Sequence, residues 1–384
     1  LRERARGVRF GAGVVMIVMA LLIGFNLTDG LQRHVPGYTT ALQNQLGGNS
    51  SALHDLTHEG SATDVTPAAG DLGGRCTEGG TRLENCGKAP EFTGLDGWLN
   101  TPGDSPLTMK GLRGKVVLVD FWTYSCINCQ RALPHVEAWY RDYRKDGFVV
   151  VGVHTPEFAF EHVRSNVQSQ ARALGVKYPI ALDNEYATWN AFHNEYWPAD
   201  YLIDASGNVR HVSAGEGDYA GTERLIRQLV RQAHPDVALP RATDVPVTTP
   251  KADQTPETYL GTKYAPLDSD PSGLVRAGST TDYHFPAAIQ TSTFALAGTW
   301  RSEPEYLLAR SDARLELGFQ ARRVYLVLGG SGRVTVSIPG RPDRTVTVHG
   351  PPKLYTLASS THTTSATLTL TATPGVQAYD FTFG

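Results

Sequence analysis

Three regimes of apolar and polar patterning succeed one another along the chain. Residues 10–27 carry no charge and are rich in Val, Ile, Met, Leu and Gly. At about 1.5 Å per helical residue they would reach about 27 Å, which predicts one N-terminal transmembrane helix. Residues 28–74 are polar, dense in Gly, Ser, Thr, Asp and His, and read as a tether. In the second regime the apolar runs 116–121 and 148–154 read as strands buried on both faces. Residues 130–145, 160–174 and 222–233 have helical apolar spacing, with Pro134 inside the first. Short strands are expected over 90–98, 107–112, 201–204 and 209–213, the last two joined by the turn Asp204-Ala-Ser-Gly-Asn208. The third regime, 298–384, alternates in β fashion, as in Val324-Tyr-Leu-Val-Leu and Arg344-Thr-Val-Thr-Val, with Gly, Pro, Asp and Ser between segments. The fold expected is an α/β domain followed by an all-β sandwich or jelly roll.

The implied boundaries are a span with flanks (1–30), a linker holding two cysteines (31–88), the α/β domain (89–235), a second linker rich in Pro, Thr, Asp and Lys (236–265) and the β-sandwich (266–384). A chain of 384 residues exceeds one ordinary domain, which fits that division. The net charge of −3 and the lack of a basic patch with interleaved aromatics argue against a nucleic-acid partner. Arg2, Arg4, Arg6 and Arg9 precede the span and few basic residues follow it closely. By the positive-inside rule the protein sits in the cell membrane with its domains outside the cytoplasm, where disulfides persist. The first residue is Leu, so a longer parent chain is expected.

Chemistry concentrates at Cys126-Ile-Asn-Cys129, where the first long strand hands over to a helix. Unpaired N–H groups and the helix dipole favour Cys126 as a thiolate, the nucleophilic form. Cys129, one turn on, is expected to be more buried and to attack back, closing a redox-active disulfide that needs no other cofactor. A zinc ribbon would need a second C-x-x-C or a His pair at ligand spacing, and a haem site would need His at 130, which is Gln. Dithiol exchange is favoured over metal binding or an inert disulfide. Asp120, on the buried strand, is a candidate proton acceptor for Cys129, the alternative being a carboxylate satisfied by water or backbone. Tyr124 and Trp197 either wall the site or simply pack. His154, Glu157 and His193 read as structural, and His34, His54 and His58 as linker residues. Cys76 and Cys86 are expected to form a structural disulfide worth about 2–3 kcal/mol in the chain-entropy model. A second redox pair exchanging with Cys126–Cys129, or unpaired thiols, are the alternatives.

Asp120-Phe-Trp before the cysteines and Pro134 after them resemble the thioredoxin superfamily over residues 89–234, most closely its membrane-tethered extracytoplasmic TlpA-like and DsbD-like branch. Glu195-Tyr-Trp-Pro198-Ala-Asp-Tyr-Leu-Ile-Asp204 is similar to that family's cis-proline loop, which implies a cis Trp197–Pro198 bond and substrate contacts from Trp197, Pro198 and Tyr124. Ser125 replaces a frequent aromatic residue and Ile127-Asn128 replaces Gly-Pro, changes that bear on potential and partner choice. The resemblance implies a thiol-disulfide oxidoreductase whose direction depends on its potential. With the span and the terminal β region, the arrangement resembles the DipZ family of CcdA–TlpA-type fusions. That implies an upstream CcdA-like membrane domain as electron donor and exported proteins with disulfides as substrates.

The β region shows no catalytic constellation. Such sandwiches often resemble carbohydrate-binding modules, and Trp300, Tyr306 and Tyr325 are candidates to stack on a glycan unless they fill the core; protein docking competes with sugar binding. Two rival functions remain. In a thiol peroxidase, Thr123 would stand three residues before Cys126 as in peroxiredoxins, although Val119 occupies the position of the expected proline. A cell-envelope scaffold would act through its β-sandwich.

Overall fold

The computed structural model describes residues 76–250, 254–264 and 277–384. The span expected over 10–27 lies outside them, and no helix among the described residues is long and apolar enough to cross a membrane.

The first apolar run forms β2 (Val116–Trp122), buried along its whole length. Strand β3 (Phe148–His154) runs parallel beside it, from Val116 opposite Phe148 to Trp122 opposite His154. Next come β4 (Ile180–Leu182), parallel to β3, and β1 (Gly97–Leu99), antiparallel to β4. On the other side β5 (Ala199–Ile203) is antiparallel to β2, and β6 (Val209–Ala214) antiparallel to β5. The resulting order is β1-β4-β3-β2-β5-β6. Because side chains alternate across a sheet, Leu118 and Trp122 face one apolar cluster and Val117, Val119 and Phe121 another. The first cluster takes Leu133, Val136 and Trp139 of α1 (Ile127–Tyr143), Val167 of α2 (Arg164–Leu174) and Leu225, Ile226 and Leu229 of α4 (Tyr219–Ala233). The second takes Trp189 of α3 (Ala187–Ala191) and the nearby Phe192.

Several expected boundaries move. Residues 107–112 make a turn, not a strand, because the Glu91 carboxylate accepts the N–H groups of Met109 (2.8 Å) and Lys110 (3.0 Å) while Met109 and Leu112 sink into the core. Residues 160–174 divide into a 3-10 turn, Ala159–His162, and α2. The end of the first linker is not free: Glu84 N–H and Cys86 N–H donate to the Arg210 and Val209 carbonyls, which adds residues 76–88 to the edge of β6. The second linker also packs. Thr243 donates to Glu223 through its N–H (2.8 Å) and hydroxyl (2.7 Å), and Arg227 donates to the Pro240 carbonyl (2.7 Å).

The C-terminal strands are β7 (Thr258–Tyr259), β8 (Thr280–Tyr283), β9 (Phe294–Ser302), β10 (Leu307–Ala309), β11 (Arg314–Gly330), β12 (Gly332–Ser337), β13 (Arg344–Val348), β14 (Lys353–Ala372) and β15 (Val376–Phe383). The expected pair of sheets is, in hydrogen bonding, one nine-stranded antiparallel sheet among the described residues. Strand β14 follows β11 with two register shifts, and the opposite edge of β11 is shared between β9 and β15. Since β9 also pairs with β10, and β10 with β15, the ladder closes on itself, so the sheet must curl around its core.

That core claims Trp300, one of the three residues of the expected glycan platform. Trp300 follows Phe294 and Leu296 at every second position of β9, so it points inward, is 0% exposed, and donates its indole N–H to the Ala297 (3.1 Å) and Arg314 (3.2 Å) carbonyls. Tyr325 is buried, and Tyr306 lies half-buried with its ring 4.9 Å from Tyr379. Trp300 and Tyr325 are thus taken up by packing, while Tyr306 is only partly covered, by Tyr379.

The β region docks beside the cysteines. Tyr379 meets Phe160 (4.9 Å) and Phe158 (5.6 Å) edge-on, the Ala159 N–H donates to Glu305 (2.9 Å), and the Tyr264 hydroxyl donates to the Glu157 carbonyl (3.2 Å).

Candidate active site

Cys126 is the N-cap of α1, half-buried, and its Sγ accepts the Cys129 N–H at 3.3 Å. A helix start leaves its first N–H groups without intrahelical partners, and here a sulfur takes one of them. Both thiols are free, and Cys129 is 1% exposed. Burial pushes the Cys129 thiol well above its ordinary value, with further increments from Cys126 and from the Asp120 carboxylate. The two sulfurs therefore differ in exposure as a nucleophile and a resolving thiol should.

Asp120 shares the Leu118 and Trp122 side of β2 and is 2% exposed. Its Oδ2 accepts the Tyr178 hydroxyl at 2.9 Å, a partner the sequence did not reveal. Burial raises its pKa to about 7, against the lowering effect of that hydrogen bond. Asp200, opposite Asp120 on β5, is likewise pushed well above the carboxylate range by burial and by Asp120.

The Trp197–Pro198 bond is cis, immediately before β5. The Trp197 indole donates to the Thr155 carbonyl (3.1 Å) and lies 4.3 Å from the Trp189 ring. Tyr124 is 1% exposed and donates its hydroxyl to the Pro352 carbonyl. Thr123 is fully buried, with Oγ1 3.5 Å from His154 Nε2, and burial lowers the His154 pKa to about 3. Cys76 and Cys86 are bonded to each other, Cα–Cα 5.2 Å, with Cys86 buried.

Two further residues organise the loop. Glu161 is 0% exposed; its Oε1 accepts the Ser125 N–H (3.2 Å) and hydroxyl (2.7 Å), and its Oε2 accepts the Glu157 (2.7 Å) and Phe158 (3.1 Å) N–H groups. Burial raises its pKa, and these donors hold it back. Arg131, one helical turn beyond Asn128, donates Nε to both Glu216 oxygens (3.0 and 2.9 Å) and Nη1 to the Phe383 carbonyl (3.1 Å). Neither Glu161 nor Arg131 belongs to a motif by which the sequence alone would single it out. Among the described residues no group of three or more His, Cys, Asp or Glu side chains could hold a metal ion.

Comparison with known proteins places this geometry. Residues 87–212 match the AhpC/TSA family, and residues 255–384 match the family described as Thioredoxin like C-terminal domain. Protein DipZ of Mycobacterium tuberculosis is 44% identical over 386 residues, which take in 100% of this chain and 54% of DipZ. The chain thus spans about half the length of that relative. Thiol-disulfide oxidoreductase YkuV of Bacillus subtilis is 33% identical over 144 residues, covering 37% of this chain and 94% of YkuV. Thiol-disulfide oxidoreductase ResA of Geobacillus kaustophilus is 28% identical over 117 residues, covering 30% of this chain and 64% of ResA. With nearly all of YkuV aligned, and with a C-x-x-C at a helix start beside a cis-proline, the chain belongs to the thioredoxin-like thiol-disulfide oxidoreductases.

Proposed function

We propose that this chain is the exported redox portion of a membrane-anchored thiol-disulfide oxidoreductase that reduces disulfides of exported proteins. The observation that carries the reading is the asymmetry of the cysteines, a half-buried Cys126 at the helix N-cap and a buried Cys129 bonded to it through N–H. The Cys126 thiolate attacks one sulfur of the substrate disulfide, the other sulfur leaves as a thiolate, and a mixed disulfide forms. Cys129 then gives its proton to Asp120 and attacks Cys126 Sγ, which releases the second substrate thiolate and leaves Cys126–Cys129 oxidised. Pro198 and Trp197 offer the edge against which an extended substrate segment lies. Similarity to DipZ along the whole chain supports anchoring through residues 10–27 and re-reduction by a CcdA-like membrane domain.

The deciding measurement is the reduction potential of Cys126–Cys129 in glutathione buffers, with Cys76→Ser/Cys86→Ser as control. A value near about −270 mV supports an electron donor, whereas one near about −120 mV overturns it in favour of a disulfide donor. Thiol peroxidase is the second reading, favoured by the AhpC/TSA match and by Thr123. Burial of Thr123 against His154 speaks against it, and peroxide consumption by the reduced protein separates the two.

A further inference from the structure

The resolving step has more machinery than Asp120. Asp200 lies directly opposite Asp120 in the antiparallel pairing of β5 with β2, and residues so paired put their side chains on the same face with Cβ atoms about 4.5–5.5 Å apart. The flanking residues fix which face: Leu118, Trp122 and Leu202 all belong to the cluster that contains Cys129, while Phe121, Ala199, Tyr201 and Ile203 belong to the other. Both carboxyls therefore point into the apolar space beneath α1. Asp200 Oδ1 is buried there without a hydrogen-bond partner, and the Asp120 carboxyl has the Tyr178 hydroxyl on its Oδ2.

An orphan carboxyl oxygen costs stability unless it is put to use. We propose that Asp200 is a positioning residue for the reaction, forming with Asp120 a two-carboxyl unit whose shared charge sets the basicity with which Asp120 receives the Cys129 proton. This inference rests on the dithiol reading above. Two carboxyls in one apolar site do not both ionise readily, so they titrate as a pair. The step balances: the Cys129 S–H proton passes to the ionised carboxyl, the Cys129–Cys126 bond forms, and the substrate sulfur departs with the electron pair of the broken mixed disulfide.

The surroundings fit a unit held by acids and phenols. Facing the pair are Cys129 of α1, itself acted on by Cys126, Tyr178 before β4, Glu137 of α1 acting on Tyr178, and Tyr219 of α4 acted on by Asp200. Among the described residues no basic side chain acts on either carboxyl. Burial accordingly raises both, Asp120 to about 7, and the Asp120 carboxylate pushes Asp200 further in the same direction.

The test is single-turnover reaction of the reduced full chain with dithiobis(nitrobenzoate) across a pH series. The first nitrothiolate released reports attack by Cys126, and the second reports attack by Cys129 on the mixed disulfide. In Asp200→Asn the pH midpoint of the second release should move downward, because Asp120 no longer ionises against a neighbouring carboxyl, and Asp120→Asn should remove that limb altogether. Asp200→Thr, lacking the charge and the amide, should also shift it downward. The first release and the circular dichroism spectrum certify folding. An unshifted second-release midpoint in both Asp200 variants, with the first release intact, overturns the proposal. A wild-type protein that never gives a second release instead overturns the dithiol reading itself.

Discussion

The Tyr124 hydroxyl donates a 3.1 Å hydrogen bond to the Pro352 carbonyl, so the residue two positions before Cys126 is fastened to the C-terminal β region. One wall of the cysteine site is thereby shared between two parts of the chain far apart in sequence. Burial pushes the Tyr124 phenol upward, with Glu161 and Tyr379 acting in the same direction, so it remains a donor throughout the working pH range.

Removing that hydroxyl tests whether docking shields Cys126. Tyr124→Phe keeps the ring and loses the bond, leaving the Pro352 carbonyl to find another partner. A loss of about 1 kcal/mol is expected in urea unfolding, together with faster alkylation of Cys126 by a bulky maleimide. Unchanged alkylation would mean that the β region does not limit access.

A second tie is ionic. The Arg131 and Glu216 side chains are 7% and 10% exposed, and Arg131 also holds the Phe383 carbonyl. Removing one partner strands a buried charge, which typically costs about 3–5 kcal/mol. Arg131→Met and Glu216→Gln should each lower the urea midpoint markedly. The double variant should be less destabilised than the sum of the two, as a double-mutant cycle will measure.

How far the sequence spoke depends on whether a feature is local. The run Val116–Trp122, the parallel run Phe148–His154 and the cis Trp197–Pro198 bond were legible because periodicity and a short motif specify them. The strand expected over 107–112 was an imitation: Met109 and Leu112 are apolar anchors of a turn whose N–H groups are taken by Glu91, many residues away in sequence. Trp300 could be read as core or as glycan platform until the register of β9 put it with Phe294 and Leu296. Tyr178 on Asp120, Asp200 opposite Asp120 and Glu161 on Ser125 are products of strand pairing and chain crossover, which no spacing along the chain encodes.

Glu161 offers a third test. Its two oxygens accept four donors, from Ser125, Glu157 and Phe158. In Glu161→Gln an amide NH₂ would face donors on one side, leaving buried N–H groups unmet at a cost of about 1–3 kcal/mol. The Cys126 loop should loosen, so iodoacetamide should modify Cys126 faster than in the wild type while the urea midpoint falls. A variant with the wild-type midpoint and wild-type alkylation would show that Glu161 does not hold this loop.

The junction with the β region should weaken as pH rises. The Tyr259 hydroxyl donates to Glu157 and, at 3.2 Å, to Glu257. Asp380, paired with Tyr259 across β15 and β7, is 2% exposed with an unpartnered Oδ1. Burial first, then the neighbouring acids Glu257, Glu161 and Glu305, push Glu157 well above its ordinary 4.5. Burial, Glu257 and Glu157, with Cys126 beyond them, push Asp380 well above 3.8. A carboxyl with a raised folded pKa binds more protons folded than unfolded, so stability falls with pH from the ordinary carboxylate range up to the raised values. Asp120 and Asp200 act with the same sign, so the junction's share appears as a difference. Glu157→Gln/Asp380→Asn should show a shallower decline in urea midpoint between mildly acid and mildly alkaline pH than the wild type. An equal slope in the two proteins would remove these carboxyls from the account of how the β region is held against the cysteine site.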